Sequence, residues 1–215
     1  MSVTLHEPAI EPVPEALLAR WRAIPVAVAV DLAPERQIDP AVRRLRQGQA
    51  DLFGRAVTAR CLPPDFGAVL AAVGRTGRGE VLVIDAGGAA GPAMIGEVLG
   101  GEIARRGAAG LVCDGAVRDT AGLARLPGLP VYARSVDPRG PASASGGEVG
   151  GPVTIGGCRV APGDLVIGDG DGLVALPPRL LGALIEAAEA RLALEAEWTA
   201  RLAAGERIEE VFGLA

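Results

Sequence analysis

Glu80-Val81-Leu82-Val83-Ile84-Asp85 is a nearly unbroken apolar run that stops at Gly87-Gly88-Ala89-Ala90-Gly91-Pro92. The arrangement returns at Gly110-Leu111-Val112-Cys113, which leads into Asp114-Gly115-Ala116-Val117-Arg118-Asp119. Continuous β-branched runs of this kind belong to strands covered on both faces. Between them, the stretch from about Pro92 to Arg106 reads as a helix with proline at its first position. Strand, glycine turn, helix and strand together define an α/β fold.

Upstream, Leu52–Cys61 alternates like a strand, and Phe66–Val73 reads as a helix closed by Gly74. Ahead of these lie a helix from Pro14 to about Arg22, with Leu17, Leu18 and Trp21 on one face, and a short apolar segment, Ile24–Val30. Downstream, Pro130–Arg134 is a further strand, and Asp137–Gly151 is a loop made largely of Pro, Gly, Ser and Ala. Short strands at tight turns follow: Pro152–Ile155, Cys158–Val160, Leu165–Gly168 and Gly172–Leu176. A long helix from about Pro178 to Ala204 carries Leu181, Ile185, Leu192 and Leu202 on one side. Strand-helix units followed by hairpins predict a mixed central sheet with flanking helices, in one domain spanning residues 1–215.

Composition removes several chemistries. All 21 basic residues are arginine, and His6 is the only histidine. Without lysine there is no Schiff-base aldolase, no pyridoxal-phosphate enzyme and no Walker A loop. One histidine in a frayed N-terminal tail also argues against a Ser-His-Asp triad or a multi-histidine zinc site. The tools left are Arg, Asp, Glu, backbone amides and a hard metal, Mg²⁺ or Mn²⁺. A net charge of −5 with scattered arginines gives no field for nucleic acid. No apolar run is long enough for a membrane span, and the N-terminus lacks a secretory pattern, so a cytoplasmic location is expected. Cys61, Cys113 and Cys158 have no metal-like spacing and read as unpaired, buried thiols.

Arg118-Asp119 lies just past a buried strand, where ligand sites fall in open α/β sheets. On many surfaces such neighbours merely neutralise each other. Here they follow the small-residue approach Asp114-Gly115-Ala116, in a chain with few other chemical options. The glycine turn and the helix start after it offer amides to a carboxylate, although any α/β corner needs glycines. Glu97, early in that helix, is a metal or water ligand or an acid complementing the dipole. Asp169-Gly170-Asp171-Gly172 resembles a calcium loop, but Leu180 stands where its glutamate belongs, so a hairpin turn is expected.

Several segments together resemble the RraA-like family, which includes 4-hydroxy-4-methyl-2-oxoglutarate aldolases and the regulator of ribonuclease activity A. They are Ile24-Pro25 to Asp31, Gly79–Asp85, Arg106–Asp119, Pro130–Arg134, Pro138–Pro141, Pro152–Thr154 and Pro162–Asp169. The resemblance implies a phosphohistidine swivelling-domain-like fold, assembled as homotrimers or hexamers with sites between subunits. It implies that Asp119 binds Mg²⁺ or Mn²⁺ and that Arg118 contacts the pyruvate unit of a small 2-oxo acid. Glu97 and an acid from a neighbour's C-terminal helix, Glu195 first and Glu189 second, would orient waters. Backbone near Gly91, Gly96, Glu97, Val98 and Leu99 would hold the pyruvate carboxylate. The implied activity is metal-dependent cleavage of a C–C bond through a pyruvate enolate, as an aldolase, an oxaloacetate decarboxylase or both. The alternative is a non-catalytic regulator that binds a ribonuclease or another protein. One departure stands out: Gly122 occupies the position where the aldolase signature is expected to carry Asp or Glu, three residues after Asp119.

Overall fold

The computed structural model describes residues 2–214. In chain order the elements begin with β1 (Thr4–Leu5), α1 (Glu15–Trp21), α2 (Val26–Leu32), β2 (Gln37–Ile38), β3 (Arg43–Arg44) and β4 (Leu52–Arg60). The central part contains α3 (Gly67–Arg75), β5 (Glu80–Asp85), β6 (Ala93–Ile95), α4 (Glu97–Arg105), β7 (Gly110–Val117), α5 (Thr120–Leu123) and β8 (Val131–Val136). The chain continues with β9 (Glu148–Val149), β10 (Val153–Ile155), β11 (Cys158–Val160), β12 (Leu165–Gly168), β13 (Leu173–Leu176), α6 (Pro178–Ala203) and α7 (Ile208–Val211).

The central sheet runs β2-β13-β12-β4-β5-β7-β8-β3. Its middle pairs, β4 with β5, β5 with β7 and β7 with β8, are parallel because a helix crosses over between each pair. The β12 and β13 side is antiparallel, as its tight hairpin requires. The sheet is therefore mixed, and helices flank it. On one face Leu82, Ile84, Leu111 and Cys113 pack with α3 and α4 through Val69, Val73 and Ile103. On the other, Val81, Val83 and Val112 meet the β10-β11 hairpin through Val153, Ile155 and Val160. A third cluster joins α1, α2 and α6 to β12 and β13, with Trp21 buried and its Nε1 donating to the Leu181 carbonyl at 3.0 Å.

The structure departs from the sequence reading at several points. Ala93-Met94-Ile95 does not open the helix after Pro92 but forms β6 beside the end of β7, because all three side chains are buried. Helix α4 begins only at Glu97, after Gly96. Strand β7 runs four residues beyond Cys113 to Val117, and every one of its residues is buried. The apolar segment from Ile24 becomes α2, and α3 continues through Gly74 to Arg75. The N-terminus is also held rather than frayed: β1 pairs with β9, and His6 Nε2 lies 3.2 Å from Glu148.

Buried carboxylates tie the sheet to the hairpin. Asp114 meets Arg134 Nε at 2.5 Å and accepts from the Gly156 amide at 2.6 Å, while Asp85 accepts from Thr154 N at 3.1 Å. These acids are consumed by structure. Asp169 caps the β12-β13 turn, taking Asp171 N at 2.9 Å, and also takes Val26 N at 2.9 Å, which accords with the hairpin reading. Cys61, Cys113 and Cys158 are free and buried, and burial pushes the Cys61 thiol up to about 12. No helix among the described residues is long and apolar enough to cross a membrane.

Candidate active site

The end of β7 delivers two side chains to a seam between cavities. Val117 closes the strand, Arg118 donates its amide to the Ile95 carbonyl at 3.0 Å, and Asp119 turns the chain into α5. Asp119 has φ 54 and ψ 43 and is the one non-glycine residue at positive φ among the described residues. Such a conformation costs on the order of 1–3 kcal/mol, and it concentrates at functional sites. The carbonyl of Asp119 accepts from Leu123 N at 2.9 Å, which fixes the start of α5 below it.

The side chains of Arg118 and Asp119 are each partly open to solvent, 42% and 43% exposed, and Arg118 Nε lies 3.5 Å from Asp119 Oδ2. The same oxygen accepts from the Glu97 amide at 3.3 Å, at the N-terminus of α4. Amides in a helix's first turn have no acceptor within the helix, so Val98 and Leu99 present further donors at this corner. Two glycines make the arrangement possible. A Cβ on Gly96 would collide with Asp119 Oδ2 and come within 2.9 Å of Arg118 Cγ, and one on Gly140 would strike Arg118 Nη1.

Gly122 acquires a specific meaning here. A Cβ at this position would collide with the Glu97 carboxyl group and lie 2.8 Å from its Cγ. The space of a side chain at 122 is therefore taken by the carboxylate of Glu97. An acid is present beside Asp119, but it reaches that place from α4 rather than from α5.

A cavity of about 300 Å³ opens on one side of the seam, lined by Phe66, Leu70, Met94, Ile95, Leu99 and Pro141 together with Gly96, Val98, Arg118 and Asp119. On the other side an open cleft of about 500 Å³ is lined by Glu97, Thr120, Gly122 and Arg125 and again by Arg118 and Asp119. Of the positions singled out in sequence, Gly96, Glu97, Val98, Leu99, Arg118 and Asp119 thus converge. Gly91 does not line either space. It packs against Asp137, whose Cγ would lie 2.7 Å from a Cβ at 91, and Asp137 in turn is held below the usual carboxylate range by Arg139.

Glu189 and Glu195 find partners within the chain. Arg20 donates to Glu189 at 2.8 and 2.6 Å, and Arg191 donates to Glu195 at 2.7 Å. Both acids are thus held by arginines of their own chain, Glu189 by one on α1 and Glu195 by one on α6 itself. Sequence reading missed Phe66, Leu70, Pro141, Gly140 and Arg125. Only Gly140 and Pro141 carried a signal, as part of a quoted motif without an assigned role.

The donor set suits a hard cation. Asp119 Oδ2 is engaged by Glu97 N and Arg118, and no protein donor among the described residues meets Oδ1. No group of three or more His, Cys, Asp or Glu side chains gathers among the described residues. Mg²⁺ accepts such a site, since it is commonly held by one or two carboxylates and keeps several waters.

The RraA-like family profile, Aldolase/RraA, matches residues 27–175. The chain belongs to the RraA-like family. A 4-hydroxy-4-methyl-2-oxoglutarate aldolase of Thermus thermophilus is 37% identical over 151 residues, covering 68% of this chain and 88% of that protein. A solved structure of the RNA-processing inhibitor RraA, also from Thermus, has a TM-score of 0.65 and 32% identity, covering 71% of this chain and 92% of that one. A protein of Pseudomonas syringae pv. tomato shares the fold across 98% of this RraA-like chain and 99% of its own, with a TM-score of 0.84 and 21% identity. That likeness extends over α6, which lies beyond the family profile.

Proposed function

We propose that this RraA-like protein is a lyase that breaks a C–C bond in pyruvate-containing 2-oxo acids, acting as an aldolase, an oxaloacetate decarboxylase or both. The observation that carries the reading is the convergence of Arg118, the strained Asp119 and the Glu97 carboxylate on one seam. The aldolase relative supports it. Mg²⁺ or Mn²⁺ held at Asp119, with water completing its shell, would supply Lewis-acid withdrawal of electrons from a 2-oxo acid.

The chain's own groups do the rest. Arg118 and the amides of Val98 and Leu99 bind the substrate carboxylate, and the guanidinium beside Asp119 faces the negative charge that grows on the 2-oxo oxygen. In retro-aldol cleavage, a water positioned by Glu97 takes the 4-hydroxyl proton. The C3–C4 bond then breaks, its electron pair passes to C3 and the 2-oxo oxygen, and an aldehyde or ketone leaves. Protonation at C3 gives pyruvate. With oxaloacetate the same bond breaks and carbon dioxide leaves, so no 4-hydroxyl proton is involved.

Pyruvate release from 4-hydroxy-4-methyl-2-oxoglutarate and from oxaloacetate should fall on dialysis against EDTA and return with Mg²⁺ or Mn²⁺. Undiminished turnover in metal-free protein would overturn the role given to Asp119. We further propose assembly into homotrimers or hexamers, supported by the exposed Leu194, Leu202 and Phe212 along the C-terminal helices. Light scattering at micromolar concentration should report three or six copies, and a fully active monomer would contradict it.

A further inference from the structure

Resting on the lyase reading above, we infer that the cavity lined by Phe66, Leu70, Met94, Ile95, Leu99 and Pro141 receives the group on C4 of the substrate. The preferred substrate is then a 4-hydroxy-2-oxo acid with an apolar alkyl or aryl group there, in place of a second carboxylate. The cavity shares Arg118 and Asp119 with the reaction seam, so a 2-oxo acid anchored at that pair extends directly into it. Beyond those two residues, every side chain on its wall is apolar. Its volume of about 300 Å³ is roughly twice the ~150 Å³ that suffices to take up benzene.

A distal carboxylate would meet no cation in this space other than Arg118, which the pyruvate end already occupies. The second arginine near the seam, Arg125, lines the opposite cleft with Glu97 and Thr120. Leu70 and Val98 are 40% and 83% exposed at the cavity's edge. Apolar side chains facing water beside a reactive pair are what a site for an apolar group requires.

The test compares kcat/KM for pyruvate release, with Mg²⁺ present, from 4-hydroxy-2-oxopentanoate, 4-hydroxy-2-oxohexanoate, 4-hydroxy-2-oxoheptanoate and 4-hydroxy-4-methyl-2-oxoglutarate. Each added methylene should raise kcat/KM about fourfold, the value expected for moving one CH₂ out of water. The dicarboxylate should lag the best monocarboxylate by on the order of tenfold or more, because its second charge would lie against apolar walls without a partner. Leu70→Arg places a cation at the cavity mouth and should reverse that order. A flat alkyl series, or a dicarboxylate preference that Arg125→Ala removes, would overturn the inference while leaving the lyase reading intact. Release from none of the four, and no oxaloacetate decarboxylation, would overturn both.

Discussion

Gly96→Ala should lower pyruvate release by on the order of 10²-fold while changing the urea unfolding midpoint little. Gly96 sits at φ −145 and ψ −165, extended backbone that alanine adopts without strain, and its surroundings are only half-buried. The added methyl would collide with Asp119 Oδ2 and press on Arg118 Cγ. Both residues leave the backbone at the end of β7, so to clear the methyl Asp119 must rotate and Arg118 must shift. A displacement of about 1 Å in reacting groups costs on the order of 10² in rate. Loss of activity with a retained fold would show that Gly96 holds the two side chains in place by having none of its own. Full activity would show that their placement is irrelevant to the reaction.

The fold was legible where burial is uniform. Glu80–Asp85 and Gly110–Cys113 are covered on both faces, and such strands announce themselves as continuous apolar runs. Helix α6 was legible from its stripe and its proline start. Ala93-Met94-Ile95 was not, because three apolar residues after a proline fit a helix start equally well, and only pairing with β7 decides for a strand. The segment Val26–Leu32 has the same ambiguity: alternating Val and Ala suits a strand, but packing against α6 and β13 makes it a helix.

The candidate site was legible at Arg118, Asp119 and Glu97, which converge on one seam, because their residue types carry chemistry in a chain without lysine. What Gly122 means was hidden. Its missing side chain reads in sequence as a lost acid, yet the Glu97 carboxylate stands in that space, a relation between residues 25 positions apart that only the helix geometry sets. The pairing of Glu189 was hidden as well, since Arg20 lies far away in sequence, whereas Arg191 stands one turn before Glu195 on the same helix. The apolar cavity was invisible because Phe66, Leu70 and Pro141 come from separate segments and look like ordinary core.

Asp119→Asn and Arg118→Lys should both lower turnover by about 10²–10³, but for different reasons that a second measurement separates. Asp119→Asn keeps the side chain's shape and the acceptor for the Glu97 amide while removing the charge, so affinity for Mn²⁺ and turnover should fall together. Arg118→Lys keeps a positive charge but replaces a planar fork with a point charge on a flexible stem, and the two are not interchangeable where an oxygen pair must be held. The lysine would also leave empty the space beside Gly140 into which the guanidinium fits. Turnover should therefore drop while Mn²⁺ binding, followed by electron paramagnetic resonance, largely persists. Both side chains are about two-fifths exposed, so neither substitution removes buried packing, and unfolding midpoints should stay near the parent's. If both variants decarboxylate oxaloacetate as fast as the parent, the pair is a surface ion pair. A non-catalytic regulator that binds a protein partner then becomes the better account.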